Sequence, residues 1–449
     1  MQMRSYIGIT VHFFNGTNIE SGVIGVTELD ESHTSKYLGE VFVNTVSEWG
    51  IEKNNVVAVT TDSGANIKKA VVSEFGEKRH LACLAHTINL IVEKGISKTQ
   101  EEDATTRVKS GGVPQLLHKV RCIVKYFKKS TKACDELRSV QKSEGVSEGK
   151  CRKLILDVQT RWNSSFYMVE RFISMSTIIS NILLSRTGNE VPEMLSARDL
   201  QSLKEICLLL GIIEKLTKEP STEKYVMSSK IIPVIVCTQN LIKNEKPVFN
   251  IAKNLQIKLL EEFAYRCGKL EYNPILSIST ILDPRFKDIY FIEPQAKSKI
   301  LNTLVNLIEA QNPFANNDEI WENEVEDNVD STNNNNCIDL WSLHRSLEKK
   351  QKNKTKSGSH ARDEIHSYLD KSVIGLKEDP IIEWENIKGA FPNLYKLGRQ
   401  YLFISATSVP SERLFSKTGN IMTKSRNRIL GSRLSKLVFL QSLDDKYWL

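Results

Sequence analysis

The sequence lacks paired cysteines and long apolar runs. Its eight cysteines, among 449 residues, are scattered, and no two form a C-x-x-C pair. This spacing argues against a zinc ribbon or a cysteine finger and is typical of the reduced thiols of an intracellular protein. No segment reaches the roughly 18 uncharged apolar residues that a membrane helix needs. The longest candidate, Ile231 to Ile242, is interrupted by a proline and several polar residues.

The N-terminal segment has neither a basic cluster nor a small-residue cleavage site. A secretory signal peptide combines both with its apolar run. The run Tyr6–Phe14 is rich in β-branched and aromatic residues, so we predict a strand here instead. Hydrophobic residues make up 40% and charged residues 26% of the chain, which is typical of a soluble globular protein. The length predicts about two to four domains.

Positive charge is concentrated in two blocks. The net charge is only +7, from 61 basic and 54 acidic residues. However, Arg107 to Lys132 contains eight Lys/Arg residues and no acidic residue, and Arg413 to Lys436 contains seven and again none. Such blocks favour contact with a polyanion, for which DNA is the obvious candidate. Two solvated helix faces would give the same pattern.

The first region, about residues 1–165, predicts an α/β fold. A second strand over Gly22–Thr27 follows the first, and a helix with apolar residues at helical spacing comes next. The short apolar run Val56–Thr60 is typical of a central parallel strand. A helix, a strand at His80–Cys83 and another helix follow. The predicted order is therefore β-β-α-β-α-β-α.

The remainder of the chain predicts helices around a polar insertion. Helical periodicity prevails from about 166 to 310 and again from about 361 to 449. Between them, about 311–360 is low in complexity, with an acidic stretch, a run of four asparagines and a basic stretch. Such a composition buries too little apolar surface to offset its ordering entropy, so we expect a disordered linker.

Asp62 is the first candidate for chemistry. It lies in VTTDSGAN, at the carboxyl end of the predicted strand Val56–Thr60. Open α/β sheets place functional groups at this position, and a carboxylate with a second one nearby can hold a divalent metal. The local sequence also favours a structural alternative, in which Asp62 caps the helix that begins near Ala65.

Three other residues have both a chemical and a structural interpretation. Glu412 follows Pro410 and Ser411 at a predicted helix start, where an acidic residue also interacts favourably with the helix dipole. Cys83 and His86 form a single C-x-x-H pair. A structural zinc site needs four ligands, so a buried thiol and a histidine at a helix start are the favoured interpretation.

Taken together, these motifs resemble transposases of the hAT superfamily and the proteins derived from them, including the BED zinc-finger group. The segment around Asp62 resembles the one that carries the second catalytic aspartate of this family, and Glu412 matches its glutamate. The other matching segments are CLAHTINLIV (83–92), TRWNSSFYMVERF (160–172), ILDPRFK (281–287) and the long C-terminal block 379–443. The C-terminal block is the most specific of these and resembles the family's dimerisation region.

The resemblance implies an RNase H-like domain that is interrupted by a large helical insertion. Residues 1–165 would form its N-terminal part, 166–378 the helical insertion with the disordered linker, and 379–449 the dimerisation region that completes the domain. This α/β plus α arrangement would bring Asp62 and Glu412 together, with their side chains within about 15 Å, because carboxylates sharing two metals ~4 Å apart must lie close.

Two features of the family have no match in the sequence. An RNase H-like fold normally has three antiparallel strands before its first helix, and here we count two. The strand without a match carries the first catalytic aspartate, and the N-terminal BED finger is also absent. The family mechanism uses three carboxylates around two divalent metals, Mg²⁺ or Mn²⁺. We therefore expect the site to be inactive in this form and to bind no cofactor.

The function predicted by the resemblance is that of a domesticated, transposase-derived nuclear protein that dimerises and associates with DNA. The alternative is a fragment of an active, metal-dependent transposase that cleaves and joins DNA. In either case DNA and a homodimer or higher oligomer are the expected partners, and no membrane is. The DNA-contacting residues would be Arg161, Trp162, Arg413, Lys417, Lys424, Arg426 and Arg428.

Two of these predictions have specific structural consequences. Trp162 would stack on a DNA base if it lies near the site, or would anchor a helix if it lies in the core, and the sequence does not decide between them. The apolar stripe near the C-terminus is too apolar for a lone surface helix, so it must be buried against the chain's own sheet, a partner, or both. It comprises Leu434, Leu437, Val438, Phe439 and Leu440.

Overall fold

A computed structural model describes most of the chain. The described residues are 5–15, 19–102, 109–158, 161–188, 190–218, 227–311, 360–408, 411 and 431–443. The predicted linker at about 311–360 therefore lies almost entirely outside them. So do Glu412, Arg413, Lys417, Lys424, Arg426 and Arg428.

The N-terminal region has the predicted order of elements. A hairpin of β1 (Ser5–Phe14) and β2 (Ile19–Leu29) is followed by five elements in strict helix–strand alternation. These are α1 (Ser35–Glu48), β3 (Val59–Thr61), α2 (Ala65–Phe75), β4 (His80–Ala82) and α3 (Leu84–Ser97). Two short strands that the sequence did not predict, β5 (Glu101–Glu102) and β6 (Lys109–Ser110), pair next.

The described strands form three separate two-stranded sheets. β1 pairs with β2 antiparallel, β3 with β4 parallel, and β5 with β6 antiparallel. The prediction of a central strand over Val56–Thr60 was therefore wrong in two respects. The strand begins only at Val59, because Lys53–Asn55 forms a 3-10 turn before it. Among the described residues it also has a neighbour on one side only.

Helices α1 and α2 cover one face of the hairpin. Thr34 caps α1, its hydroxyl accepting a hydrogen bond from the Tyr37 backbone N–H at 3.2 Å. The apolar stripe of α1 then packs on α2, and Ile7 and Ile9 of β1 pack against the same cluster. The fully buried members of this cluster are Phe42, Val46, Val71 and Phe75.

A β-bulge allows β2 to contribute two valines to a second apolar cluster, on the opposite face of the hairpin. The pairing register shifts between Ile9 and Thr10, which leaves Ile24 opposite no residue of β1. Because of this extra residue, Val23 and Val26 point to the same side although they are three positions apart. The C-terminal helix packs against them.

The rest of the chain is helical. Its largest apolar cluster joins α3 to the helices that follow, and the helices of the last third form a second cluster with α11 and α12. The helices are α4 (Gly112–Lys129), α5 (Thr131–Ser143), α6 (Trp162–Ser174), α7 (Ser176–Leu184), α8 (Ala197–Lys218), α9 (Ile231–Asn244), α10 (Asn250–Cys267), α11 (Pro274–Ile281), α12 (Pro294–Gln311), α13 (His360–Asp370), α14 (Pro380–Ile387), α15 (Pro392–Tyr401) and α16 (Gly431–Ser442). The coarse prediction of an α/β plus α fold is thereby confirmed.

Buried charges mark the segment ILDPRFK. Asp283 has no exposed side-chain surface, and its carboxylate accepts hydrogen bonds from Arg285 Nε at 2.9 Å, Arg285 Nη2 at 2.6 Å and Ser229 Oγ at 2.7 Å. Lys287 donates to the Tyr368 carbonyl at 2.6 Å, and burial lowers the pKa of its ammonium group. The motif thus joins α11 to the turn before α9 and to α13.

Within the described residues, all seven cysteines are free thiols. No helix in these ranges is long and apolar enough to cross a membrane.

Candidate functional site

Asp62 lies where β3 gives way to α2. The strand ends at Thr61 and the helix begins at Ala65, so the carboxylate stands at the carboxyl end of a parallel strand. The side chain is exposed, and its Oδ1 accepts a hydrogen bond from the Gly64 backbone N–H at 3.0 Å. The N-cap residue of α2 is Gly64, and no side chain caps the helix, so Asp62 does not cap α2 as the structural alternative expected but holds the turn before it.

Two hydrogen bonds join the end of β3 to β4 and to the residue that follows it. The Thr61 hydroxyl lies 2.9 Å from His80 Nε2, and the Thr61 carbonyl accepts from the Cys83 N–H at 2.7 Å. Burial, with a smaller contribution from Lys68, lowers the pKa of His80, so this imidazole is neutral at pH 7. The backbone that carries Asp62 is therefore well fixed.

A C-terminal segment, residues 404–408, returns to this edge and binds it through its backbone. The Ser405 carbonyl accepts from the Thr60 hydroxyl at 2.7 Å, and the Ala406 carbonyl accepts from the Leu84 N–H at 3.0 Å. The Ser408 N–H donates to the Cys83 sulfur at 3.3 Å. We call residues 404–408 the return segment. The resemblance implies that the C-terminal block completes the first domain, but the sequence does not indicate that residues 404–408 make these contacts, because the contacts use backbone groups.

The Cys83 thiol is fully buried beneath the return segment, while His86 is half-buried one turn along α3. These are the environments that the structural interpretation of the C-x-x-H pair expects. In the described part of the chain, no group of three or more His, Cys, Asp or Glu side chains is arranged to hold a metal ion. The described donors, with Asp62 as the one matched carboxylate, therefore do not by themselves make a two-metal site.

A cavity of about 830 Å³ lies beside Asp62. Its lining includes Asp62 itself, the return segment and Ser411, whose hydroxyl is 3.0 Å from that of Thr10 on β1. Glu412 is the next residue after Ser411 but lies outside the described residues. Its predicted proximity to Asp62 stays a prediction, although its neighbour in sequence lines the same cavity.

Trp162 is the first residue of α6 and belongs to the large helical core, with 5% of its surface exposed. Its ring would need to be uncovered before it could stack on a base, so the burial favours the core interpretation. Arg161, immediately before it, is exposed. A role of either residue in DNA binding stays a prediction.

The first basic block lies mainly on α4 and the beginning of α5. Lys119 binds Asp199, with 2.7 Å between Nζ and Oδ2, and Arg121 binds Asp157, with 2.6 Å between Nη2 and Oδ2. The remaining described lysines that follow them are exposed, namely Lys125, Lys128, Lys129 and Lys132. The block is therefore divided between two cations that fix neighbouring elements and an exposed group of four.

Helix α16 is divided in the same way. Leu434 and Val438 are buried against Val23 and Val26 of the hairpin, together with Tyr6. Leu437 and Leu440, on the neighbouring face, are 42% and 41% exposed. A helix lying on one sheet can bury only the side that faces it. The expected burial against the chain's own sheet therefore holds for Leu434 and Val438, and burial of Leu437 and Leu440 against a partner stays a prediction.

Comparison with known proteins supports the resemblance along most of the chain. Residues 81–209 match the family model of the ZBED1 RNase-like helical domain, and residues 364–443 match the hAT family C-terminal dimerisation region. The zinc finger BED domain-containing protein 4 of Homo sapiens is 24% identical over 98% of the chain and 36% of its own length.

Two further relatives extend this picture to plants and insects. The zinc finger BED domain-containing protein RICESLEEPER 3 of Oryza sativa subsp. japonica is 20% identical over 93% of the chain and 56% of its own length. The transposable element Hobo transposase of Drosophila melanogaster is 23% identical over 53% of the chain and 33% of its own length. The chain thus spans between about a third and just over half of these relatives. The resemblance is confirmed: this chain is a relative of the hAT transposases and of the BED zinc-finger proteins, and it contains the hAT dimerisation region.

Proposed function

We propose that the chain is a transposase-derived nuclear protein that dimerises through its C-terminal region, associates with DNA and is catalytically inactive in this form. Its first region and its C-terminal block would form one RNase H-like domain around the helical insertion. The order β-β-α-β-α-β-α and the contacts of the return segment with Thr60 and Leu84 support this arrangement. The printed names of the relatives support the nuclear setting, since transposition acts on DNA.

The division of α16 carries the proposal of a dimer. Leu434 and Val438 pack on the chain's own hairpin, whereas Leu437 and Leu440 are about two-fifths exposed. All four lie within the matched dimerisation region. If a second copy covers these apolar side chains, the dimer is stabilised by roughly 25 cal/mol for each Å² removed from water. A second copy of the same helix is a self-complementary partner.

Light scattering on the full chain tests the dimer. We expect the unmodified chain to be dimeric at micromolar concentration and the double variant Leu437→Lys, Leu440→Lys to be monomeric. The matched control is the double variant Leu208→Lys, Leu241→Lys, which places the same two charges at exposed leucines of α8 and α9 and should leave the dimer intact. A double variant that stays dimeric would refute this interface.

The exposed lysines of α4 and α5 support association with DNA. Four exposed lysines within eight residues, Lys125, Lys128, Lys129 and Lys132, give a local positive potential. Binding of this kind depends on counterion release, so the affinity falls steeply with salt and hardly depends on sequence. The basic residues Arg413 to Arg428 would add phosphate contacts.

Fluorescence anisotropy with a random-sequence duplex tests this contact. The double variant Lys128→Ser, Lys129→Ser should weaken binding and lower the slope of log K against log salt by about 2, because each phosphate contact contributes about 0.9. Lys246→Ser with Lys253→Ser removes two exposed lysines elsewhere and should leave the slope unchanged. Equal effects of the two double variants on the slope would refute a localised contact, because the DNA would then respond to the total charge of the chain and not to these lysines.

The proposal of inactivity rests on the incomplete set of carboxylates. Asp62 accepts a hydrogen bond from the Gly64 N–H, and in the described part of the chain no three His, Cys, Asp or Glu side chains are grouped to hold a metal ion. The alternative, a fragment of an active transposase, is favoured by the position of Asp62 and Ser411 on one cavity. Incubation with supercoiled DNA and Mn²⁺ separates the two: strand cleavage that Asp62→Asn abolishes would support the enzyme, and no cleavage above background supports the proposal.

A further inference from the structure

A thiol and an imidazole form a contact pair on the exposed side of α4. The Cys122 sulfur lies 3.5 Å from His118 Nε2, and both side chains are exposed. The two residues are four positions apart, and side chains with this spacing are neighbours on one face of a helix. The opposite face of α4 is buried in the main apolar cluster. The contact is therefore set by a helix that the core holds in place.

This pair has the chemistry of an activated nucleophile. A thiol reacts as its thiolate, so a group that accepts its proton promotes the reaction. In the tautomer that carries its proton on Nδ1, the Nε2 atom of an imidazole is such an acceptor. A nucleophile within hydrogen-bond reach of a base is the arrangement that covalent catalysis by cysteine uses. His118 is in position to take the proton of Cys122.

Cationic side chains continue the same exposed stripe. Lys125 and Lys129 follow Cys122 at helical spacing, one and two turns further along α4, and both are exposed. Arg121 is adjacent to the thiol and is bound by Asp157. The hydrogen bonds of Asp157 raise the pKa of Arg121, and the neighbouring Cys122 sulfur acts in the same direction. A molecule that approaches the thiol therefore meets positive charge, which attracts an anion.

The other exposed cysteine in the described ranges has a different environment. Cys237 lies on α9, and its sulfur is 3.9 Å from the hydroxyl of Tyr290. At pH 7 a phenol keeps its own proton and does not take up a second one. No charged residue occurs within four positions of Cys237 in the sequence, 233–241. Cys237 is thus an exposed thiol with neither the base nor the flanking charges of Cys122.

We propose that Cys122 is a modification site, at which His118 activates the thiol and Lys125 and Lys129 select small disulfides that carry carboxylate groups. His118 Nε2 takes the thiol proton, and the Cys122 sulfur attacks one sulfur of the disulfide. The S–S bond of the reagent breaks, and a new one joins Cys122 to half of the reagent. The other half leaves with the electron pair and takes a proton from His118 or water. Cys122 is oxidised and the leaving thiol is reduced.

Comparison of the two thiols within one molecule tests the site. The full chain, at pH 7 and low salt, is treated separately with dithiodipropionate, dithiodiethanol and cystamine, which are anionic, neutral and cationic disulfides. Mass spectrometry after digestion gives the initial rates at Cys122 and Cys237, and their ratio cancels the intrinsic reactivity of each reagent. Cys122 should react faster with the neutral reagent, and the ratio should be roughly tenfold higher for the anion than for the cation.

Substitutions assign each effect to its residues. His118→Gln should slow Cys122 roughly tenfold with all three reagents, less than most general bases contribute, because a thiol at pH 7 is already partly ionised. Lys125→Ser with Lys129→Ser should abolish the preference for the anion and leave the rate with the neutral reagent unchanged. The matched control, Lys246→Ser with Lys253→Ser, should leave both unchanged. The rate at Cys237 in each variant reports whether the fold is retained.

Three results would overturn the proposal. Equal rates of Cys122 and Cys237 with the neutral disulfide would show that the imidazole does not activate the thiol. An unchanged Cys122 rate in His118→Gln would show the same by a second route. A ratio that is the same for the anionic and the cationic reagent would show that the lysines select nothing. None of these outcomes depends on dimerisation or on association with DNA.

Discussion

Removal of the Asp283 carboxylate should be among the most destabilising single changes in the chain. The side chain is fully buried and is the acceptor for the guanidinium of Arg285, which is itself 6% exposed, and for the hydroxyl of Ser229. Asp283→Ala would remove the carboxylate that accepts hydrogen bonds from Nε and Nη2 of the buried Arg285 guanidinium. Loss of one partner from a buried ion pair costs about 3–5 kcal/mol.

A double-mutant cycle makes the magnitude specific. Arg285→Met alone would leave a buried carboxylate and should also cost about 3–5 kcal/mol, whereas Asp283→Leu with Arg285→Met should cost far less than the sum of the two, because no unpaired charge is left behind. The matched control is Glu385→Ala, which breaks the partly exposed pair with Lys388 and should cost under about 1 kcal/mol.

Urea unfolding followed by tryptophan fluorescence measures these differences. Trp384 is a suitable reporter, because its ring stacks on Tyr368 at 5.1 Å between centroids and its indole N–H donates to the Leu282 carbonyl beside Asp283. A loss below about 1 kcal/mol for Asp283→Ala, or additive single losses, would show that water reaches the pair and that the burial argument fails.

Three further outcomes are expected. Burial lowers the pKa of His12 from 6.5 to about 4, so between these pH values the unfolded chain binds a proton that the folded chain does not. As the pH falls through this range, the free energy of unfolding measured in urea should therefore decrease by up to about 3 kcal/mol, and this decrease should be absent in His12→Gln. In Gly95→Val, the new Cβ would lie 2.8 Å from Leu259 where α3 and α10 meet, so thermal unfolding should show a loss of about 1–3 kcal/mol; Gly149→Val, with open space around it, should lose far less. The buried Cys83 thiol should resist a disulfide-forming reagent, measured by mass spectrometry after digestion, while the exposed cysteines react within minutes; fast reaction of Cys83 would mean that the return segment opens.

The order of elements in the N-terminal region could be predicted because it depends on local patterns. β-branched runs, a cap at Thr34 and helical spacing each act within a few residues. The position of Asp62 at the end of a strand followed from the same signals. The sequence also allowed both interpretations of this residue, and the hydrogen bond with Gly64 is the kind of contact that only coordinates resolve.

Other features could not be predicted, because they depend on residues far apart in the chain. The burial of Trp162 results from packing among several helices, and a single tryptophan at a helix start gives no sign of it. The return segment acts mainly through backbone carbonyls and N–H groups, which every residue has. The separation of β1 from β3 is likewise invisible to a pattern that identifies strands one at a time.

The contacts of the return segment also determine when the N-terminal region can complete its folding. Thr60 and Ser405 are 345 residues apart, and Thr10 and Ser411 are 401 apart. At about 10 residues per second, the ribosome needs on the order of half a minute to deliver the second member of the first pair. During that interval the hairpin and β3 have been made but lack both the return segment and α16. Long-range pairing of this kind slows folding, and the waiting strand edges are prone to aggregate. The N-terminal region should therefore depend on chaperones during synthesis until these segments have been made.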